Sequence, residues 1–88
     1  MDSEKFIEKC KQLIVDYANE NFDKTDQTEI TTDHVFVVWS CKTLQNNKAL
    51  LSTTVPDGMY YELTYDGENL QIYFDAYKKW KNMSFVMY

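Results

Sequence analysis

The sequence predicts an α+β domain in which an N-terminal amphipathic helix packs on a four-stranded antiparallel meander, in the order α-β-β-β-β. Apolar residues recur at helical spacing near the N-terminus and alternate with polar residues from residue 34 onward, and turn-forming residues separate the alternating segments. The chain has 88 residues, of which 44% are hydrophobic and 16% aromatic, enough for one core. We therefore expect residues 1–88 to form a single domain.

A stripe of apolar side chains predicts the helix over residues 3–21. Its members recur at steps of three and four and are Phe6, Ile7, Cys10, Leu13, Ile14, Tyr17 and Ala18. Ser3 is suited to the N-cap position, and Asn21 can end the helix in a left-handed conformation. Polar and charged residues fill the other side, so one face of the helix should be buried.

Residues 22–33 predict an ordered surface connection between the helix and the sheet. They are polar, show almost no periodicity and contain neither glycine nor proline. Phe22 and Ile30 are expected to anchor this connection to the rest of the domain.

The alternation after His34 predicts four strands whose apolar residues share one face. These residues are Val35, Val37, Trp39 and Cys41, then Ala49, Leu51 and Val55, then Met59, Tyr61 and Leu63, and finally Leu70, Ile72 and Phe74. This face is expected to receive the helix. The opposite face is mostly polar but holds the aromatic residues Phe36, Tyr60 and Tyr73.

Turn chemistry predicts how the strands pair. Between the first two strands, a three-residue loop from Asn46 to Lys48 is favoured over a two-residue turn, because a one-residue slip would exchange the faces. A positive φ is expected at Asn47 or Lys48. The next connections, Pro56-Asp57-Gly58 and Asp66-Gly67, carry strong turn signals. They predict that Thr53 pairs with Tyr61 and that Tyr65 pairs with Glu68.

Residues 75–88 fit two interpretations. Asp75 can cap a short C-terminal helix in which Trp80 and Met83 share a side, or the fourth strand can continue through this segment. The short helix, ending near Asn82, is favoured.

Composition excludes several classes of function. The chain has 14 acidic and 9 basic residues, and all nine basic residues are lysines. The negative charge and the lack of arginine, the residue best suited to phosphate and guanine contacts, argue against conventional nucleic-acid binding. The sequence shows no transmembrane run and no secretory signal, and two cysteines do not make a disulfide framework. We therefore expect a cytoplasmic location without membrane attachment.

No residue pattern predicts catalysis, a cofactor or a metal site. His34 is the sole histidine and has Asp33 as its nearest potential partner, so a structural or solvated role is favoured. Cys10 and Cys41 lie on predicted apolar faces and lack the spacing of metal ligands. Both are expected to be buried, and the protein is expected not to be an enzyme.

An uneven charge distribution is the most suggestive functional feature. Residues 1–33 hold nine acidic residues and four lysines. Those near the end of the helix and in the connection are Asp16, Glu20, Asp23, Asp26, Glu29 and Asp33. Such a surface can steer a basic partner, and it could imitate the phosphates of a nucleic acid. The alternative interpretation is an ordinary solvated surface that aids solubility.

The aromatic residues of the second sheet face also allow two interpretations. Phe36, Tyr60 and Tyr73 could stack nucleic-acid bases, as aromatic residues do in some single-strand-binding modules. They could instead form a protein interface, including a homodimer. The acidic surroundings and the lack of arginine favour the protein interface.

Four stretches of sequence carry a resemblance. They are Phe6–Cys10 with Asp16–Ala18, Val35–Leu44, Gly58–Tyr65 and Tyr73–Trp80. In them the chain resembles small uncharacterised proteins of phages and prophages from low-GC Gram-positive bacteria. The resemblance brings no catalytic residues. It implies a viral accessory role in the cytoplasm of an infected or lysogenic host, in which the protein binds, redirects or inhibits a host or phage protein. A single-stranded nucleic-acid module and a self-associating structural protein are the alternatives.

Overall fold

The computed structural model describes residues 1–21 and 29–87, and it confirms the α+β architecture. The elements are α1 (Ser3–Asn21), a short 3₁₀ helix (Thr32–His34), β1 (Val35–Thr43), β2 (Asn46–Thr53), β3 (Met59–Asp66) and β4 (Gln71–Lys78). The four strands form one antiparallel sheet in the order β1-β2-β3-β4, and α1 packs on one face of it. The chain is therefore the predicted helix on a meander.

The helix buries the predicted stripe, but its cap differs from the prediction. The Asp2 carboxylate accepts a hydrogen bond from the Lys5 backbone N–H at 2.8 Å, so Asp2 is the N-cap residue and Ser3 is the first helical residue. The helix ends at Asn21, as predicted. Asp2 is preferred because a carboxylate also interacts favourably with the positive end of the helix dipole.

The core lies between α1 and the covered face of the sheet. Its buried residues are Phe6, Cys10, Ile14, Val15, Ala18, Ile30, Val35, Ala49, Leu51, Tyr61 and Leu63. Tyr17, Tyr61 and Phe74 form an aromatic cluster with ring centroids 5.2 to 5.9 Å apart. The burial of Ile30 confirms it as an anchor of the connection, whereas Phe22 lies outside the described residues.

A β-bulge at Val38 overturns the predicted faces of β1. Val37 pairs with Leu51, but Trp39 pairs with Leu50, so the alternation reverses between Val37 and Trp39. Directly paired residues project from the same face of a sheet. The prediction that Trp39 and Cys41 face the helix is therefore wrong; both are exposed on the opposite face.

The connection between β1 and β2 also differs from the prediction. It is a two-residue turn of Leu44 and Gln45, and Leu44 rather than Asn47 or Lys48 adopts the left-handed conformation, with φ 56°. The strand β2 begins at Asn46. The three-residue loop was needed only if β1 alternated without interruption. Because the bulge reverses the alternation within the strand, the shorter turn keeps the apolar residues of β2 in the core.

The other two connections keep the predicted faces but not the predicted pairs. Leu51 rather than Thr53 pairs with Tyr61, and Ile72 rather than Glu68 pairs with Tyr65. Both shifts are by an even number of residues, and an even shift leaves every side chain on its face. The longer connection after β3 removes Leu70 from the sheet, so this residue is exposed and not part of the core.

Side-chain acceptors explain why these connections are longer than predicted. The Asp57 carboxylate accepts from the Met59 N–H at 3.0 Å. The Asp66 carboxylate accepts from the backbone N–H groups of Glu68 and Asn69 at 3.0 and 3.2 Å. The bonds from Asn69 are the main cause of a lowered pKa of Asp66. Short acidic side chains thus replace the strand ladder with local turns.

The two glycines of the chain serve different purposes. Gly58 has φ 73°, the positive value expected of a turn glycine. Gly67 is needed because of a close approach, since a Cβ atom there would overlap the carbonyl oxygen of Gln45. The N–H of Gly67 donates to the Asn46 side chain at 3.0 Å. The connection after β3 therefore packs directly against the turn that follows β1.

The C-terminal segment does not form the predicted helix. Asp75, the predicted cap, lies within β4, which continues to Lys78. Residues 79–87 have no regular secondary structure, and so the prediction of a helix ending near Asn82 is wrong. The strand forms because the residues from Asp75 to Lys78 all pair with β3, and a helix that began at Asp75 would lose these four pairs.

We expect Tyr61→Phe to be stabilising, by on the order of 1 kcal/mol, because an unpaired buried hydroxyl carries a desolvation cost. Tyr61 is 0% exposed, and its hydroxyl has no hydrogen-bond partner among the described residues. Burial and the nearby Asp57 carboxylate raise the pKa of Tyr61 to about 12. Between about pH 10 and pH 12, this hydroxyl is therefore ionised in the unfolded chain but protonated in the folded one. The free energy of unfolding should fall as the pH rises through this window, and it should fall less in the Tyr61→Phe variant. Urea unfolding measures both effects.

Tyr73→Phe is the matched control for this substitution. Tyr73 is exposed, and its hydroxyl donates to the Gln71 side chain at 3.0 Å. Its replacement should change stability by less than about 0.5 kcal/mol. A clear loss of stability in Tyr61→Phe would show that the Tyr61 hydroxyl has a favourable partner.

Candidate functional site

The predicted partner-binding residues lie on two surfaces, one on the helix side of the molecule and one on the uncovered face of the sheet. Asp16, Glu20, Glu29 and Asp33 are exposed on the helix side. Asp23 and Asp26 lie outside the described residues. We call the four described carboxylates of this group, with Glu8 added, the acidic surface. Its described members are Glu8, Asp16, Glu20, Glu29 and Asp33.

Helical spacing aligns three of these carboxylates. Glu8, Gln12, Asp16 and Glu20 follow one another at steps of four, which places them in one row on the exposed surface of α1. The Gln12 side chain donates to the Asp16 carboxylate at 2.9 Å, within this row. Glu8 was not among the residues predicted from the sequence, although the four-residue step from Asp16 through Gln12 is sufficient to identify it.

A side-chain clamp holds the chain after the connection against the end of α1. The Asn19 amide donates to the carbonyl oxygen of Ile30 at 3.1 Å, and the N–H of Ile30 donates to the Asn19 side chain at 3.1 Å. An asparagine side chain has both a donor and an acceptor and can therefore make both bonds at once. Because Ile30 is fixed, its neighbour Glu29 lies close to the last turn of α1.

The short 3₁₀ helix positions the last carboxylate of the acidic surface. The Thr31 N–H donates to the Nδ1 atom of His34 at 2.9 Å, which closes this turn. The turn places Thr32 and Asp33 beside the middle of α1, where a shallow depression is lined by Glu8, Lys11, Gln12, Thr32 and Asp33. His34 therefore organises the backbone of the turn. Lys11 contributes a positive charge to this depression.

The uncovered face of the sheet carries five aromatic side chains, which we call the aromatic face. They are Phe36, Trp39, Tyr60, Tyr73 and Tyr77. Four of them are 42% to 52% exposed, and Tyr60 is half-buried. The prediction that Phe36, Tyr60 and Tyr73 lie opposite the helix is confirmed. Trp39 and Tyr77 were missed, because one follows the bulge and the other lies in the segment predicted as a helix.

Strand pairing arranges these side chains in rows across the sheet. Phe36, Ser52, Tyr60 and Tyr77 form one row, and Trp39, Leu50, Glu62 and Asp75 form the next. The structure therefore brings Phe36, Tyr60 and Tyr77 together at one end of the sheet. Tyr73 lies four residues before Tyr77 on β4, about 13 Å away, and is not part of this group.

The aromatic face has an excess of negative charge. The Lys48 ammonium lies 3.6 Å from the Glu62 carboxylate. Glu62 also pairs across the sheet with Asp75, and like charges directly opposite each other repel. An oppositely charged group on an incoming partner would relieve this repulsion. The aromatic face is thus better suited to a basic, apolar partner than to an anionic one.

The Cys10 thiol is buried, and the described cysteine, histidine and carboxylate side chains lack the grouping that holds a metal ion. Burial raises the pKa of the Cys10 thiol to about 12, so this thiol is protonated and unreactive at neutral pH. Across residues 1–21 and 29–87, no three side chains of His, Cys, Asp or Glu are grouped so that they could hold a metal ion. In the same residues, no helix has the length and apolar character needed to cross a membrane.

Comparison with known proteins identifies a family. A family model described as "Family of unknown function (DUF6275)" matches residues 7–87 of this chain. Neither the curated proteins nor the solved structures contain a significant match. The matched range includes the described members of the acidic surface, the aromatic face and the C-terminal segment.

We expect Asn19→Ala to lower the free energy of unfolding by about 1 to 3 kcal/mol, because it leaves the partly buried N–H and carbonyl groups of Ile30 unpaired. Gln12→Ala removes an exposed hydrogen bond on the same helix and should cost less than about 0.5 kcal/mol. Thermal and urea unfolding measure both variants. Equal losses would mean that the clamp does not hold the chain against α1.

Proposed function

Because the chain belongs to this family of unknown function, whose description assigns no activity, we propose from its surfaces that it is a non-enzymatic phage accessory protein that binds another protein. The observation that carries the proposal is the acidic surface. The clamp between Asn19 and Ile30 and the turn at His34 hold Glu29 and Asp33 against a helix that already carries a row of carboxylates. Carboxylates on separate segments whose backbones are held together form a surface that a partner can recognise.

The partner that fits this surface has a basic surface of its own. Residues 1–21 and 29–34 carry seven carboxylates and three lysines, so the helix side has an excess of negative charge within a chain of net charge −5. Such an excess accelerates encounter with a positive patch and orients the approach. Salt weakens attraction between exposed charges, so the interaction should be sensitive to ionic strength.

The finer form of the proposal is that the acidic surface imitates a nucleic acid. Along the row on α1, Asp16 and Glu20 are about 6 Å apart and Glu8 lies about 12 Å before Asp16, on a rigid scaffold. A protein that binds nucleic acid through lysines and arginines could accept this row in its groove. The partner would then be a host defence or nucleic-acid-processing protein, met in the cytoplasm of an infected or lysogenic bacterium. The resemblance to phage and prophage proteins supports this setting.

The test is capture of a partner from a bacterial host lysate at low salt, with the intact chain as bait. We expect a protein that salt elutes, and we expect Glu20→Lys to weaken its binding about fivefold to tenfold, mainly through the association rate. Glu68→Lys is the matched control, since it makes the same charge change in the exposed connection after β3. Addition of duplex DNA should displace the partner if the acidic surface imitates nucleic acid.

Two outcomes would contradict the proposal. One is the absence of any partner whose binding depends on salt. The other is a partner that binds the Glu20→Lys and Glu68→Lys variants with the same affinity, because net charge rather than the acidic surface would then govern the contact.

A single-stranded nucleic-acid-binding module is the second candidate function. The observation that favours it is the aromatic face, where Phe36, Tyr60 and Tyr77 provide a platform for stacking bases. The carboxylates of Glu62 and Asp75 on the same face oppose an anionic strand. Titration with a labelled oligothymidine at low salt separates the candidates. Binding that weakens steeply with salt and is lost in Tyr60→Ala would favour this second function, whereas we expect no saturable binding.

A further inference from the structure

The C-terminal segment is an apolar arm that projects from the sheet. We call residues 79–87 the C-terminal arm. Trp80, Phe85 and Met87 in it are 94%, 79% and 91% exposed. Exposed apolar patches of this kind mark interaction sites in soluble proteins. The arm therefore needs a surface that would remove these side chains from water.

The aromatic face is a second apolar surface, and it begins where the arm starts. The arm follows Lys78, which pairs with Met59 at the end of the sheet. The adjacent row of that end carries Phe36, Tyr60 and Tyr77. One molecule thus presents an uncovered aromatic face and an uncovered apolar arm at the same end.

The two surfaces are complementary in charge. Residues 1–77 contain all 14 acidic residues and six of the nine lysines, which gives this part a net charge of −8. The chain from Lys78 onward contains three lysines and no acidic residue. On the aromatic face, Glu62 and Asp75 oppose each other across the sheet. Lysines of an arm placed over this face would neutralise them.

The path of the arm carries it away from its own aromatic face. The Lys79 N–H donates to the carbonyl oxygen of Gly58 at 2.7 Å, so the chain still follows the direction of β4 at this point. Covering its own face would require a sharp reversal immediately afterwards. Residues 79–87 contain no turn or bend in the structure. An extended arm is instead suited to reach a neighbouring molecule.

We propose that the C-terminal arm lies on the aromatic face of a second copy of this chain, and that the two copies exchange arms in a two-fold homodimer. Reciprocal exchange makes the interface closed, because the same arm and the same face are used twice. The nine arm residues extend about 30 Å, and four strands at about 4.8 Å spacing span less than 20 Å, so one arm can cross the face.

The proposed contact is large enough for a stable dimer. The large apolar side chains of the arm are Trp80, Met83, Phe85, Val86 and Met87. An aromatic side chain alone buries roughly 150 to 250 Å², and the face that it covers loses a similar area. Trp80 and Phe85 of one arm therefore account for roughly 600 to 1,000 Å² with the face they cover, and the two arms together for roughly 1,200 to 2,000 Å², the range of a standard specific interface.

This dimer goes beyond the proposed function and does not depend on it. The acidic surface lies on the helix side of each sheet, away from the aromatic face, and stays accessible in both copies. A dimer therefore presents two acidic surfaces to its partners, which raises the avidity for a partner with repeated basic sites.

The test is the molar mass of the intact chain, measured by light scattering and sedimentation over a concentration series. We expect about twice the 10.5 kDa of one chain. Trp80→Ser with Phe85→Ser should raise the dimer dissociation constant by at least about tenfold, because large buried apolar residues dominate interface energies. The matched control is Leu44→Ser with Leu70→Ser, which removes two exposed leucines at the other end of the sheet. The control should leave the dimer unchanged, and circular dichroism verifies that each variant is folded.

A mixing experiment tests the reciprocal exchange. Phe36→Ser with Tyr77→Ser damages the face and keeps the arm, whereas the variant of Trp80 and Phe85 damages the arm and keeps the face. A homodimer of either variant has two impaired contacts between an arm and a face. A mixed dimer has one intact contact, so mixing should restore dimers that neither variant forms alone.

Several results would overturn the proposal. One is a chain that stays monomeric up to about 1 mM. This result would overturn the proposal both if the arm covers the aromatic face of its own molecule and if the arm and the face stay exposed to solvent. So would a dimer unaffected by the arm and face variants, which would indicate pairing of strand edges. A mass that rises only after an oligonucleotide is added would assign the aromatic face to nucleic acid. None of these measurements involves the acidic surface. The dimer can therefore fail its test while the proposed function passes, and the reverse also holds.

Discussion

A single helix can cover only one face of a four-stranded sheet, and α1 packs on one face. Phe6, Cys10 and Ile14 are buried against Leu51 and Tyr61, and the aromatic cluster extends the contact toward β4. The other face has no described element above it. Every apolar residue on that side must therefore tolerate water or be covered by another molecule, and this constraint organises the surfaces of the protein.

The sequence was sufficient to predict the helix and the faces of three strands. The helix follows from a stripe at steps of three and four, and the faces of β2, β3 and β4 follow from a period of two. Errors of two or four residues in register did not matter, since an even shift preserves the face. The pairs themselves depended on how Asp57 and Asp66 bind nearby N–H groups, which residue types alone do not determine.

The errors with larger consequences had two causes. The bulge at Val38 has no glycine or proline to mark it, so the side of Trp39 could not be read from alternation. The segment from Asp75 onward had spacings compatible with a helix and with a strand, and the pairing of Tyr77 with Tyr60 decided for the strand. Both errors removed aromatic residues from the predicted uncovered face. The sequence therefore underestimated how apolar that face is.

The part of the acidic surface that lies on α1 was predictable from the sequence. Asp16 and Glu20 lie on one helix, so their proximity follows from spacing. Glu29 and Asp33 join them because Asn19 bonds to Ile30, eleven residues away, and because His34 bonds to Thr31. Neither hydrogen bond can be predicted from the residue types alone. Asp23 and Asp26 remain candidate members of this surface by sequence.

The extra residue at Val38 also determines which mutations this fold can tolerate. Trp39 and Cys41 project away from the packed interior, so replacements there alter the outer surface with little effect on folding. Deletion of Val38 would leave Val37 opposite Leu51 and Trp39 opposite Leu50 in an uninterrupted ladder, with both side chains on their present faces. The strand can therefore lose this one residue without exchanging its faces, whereas loss of a residue from a regularly paired stretch would exchange them.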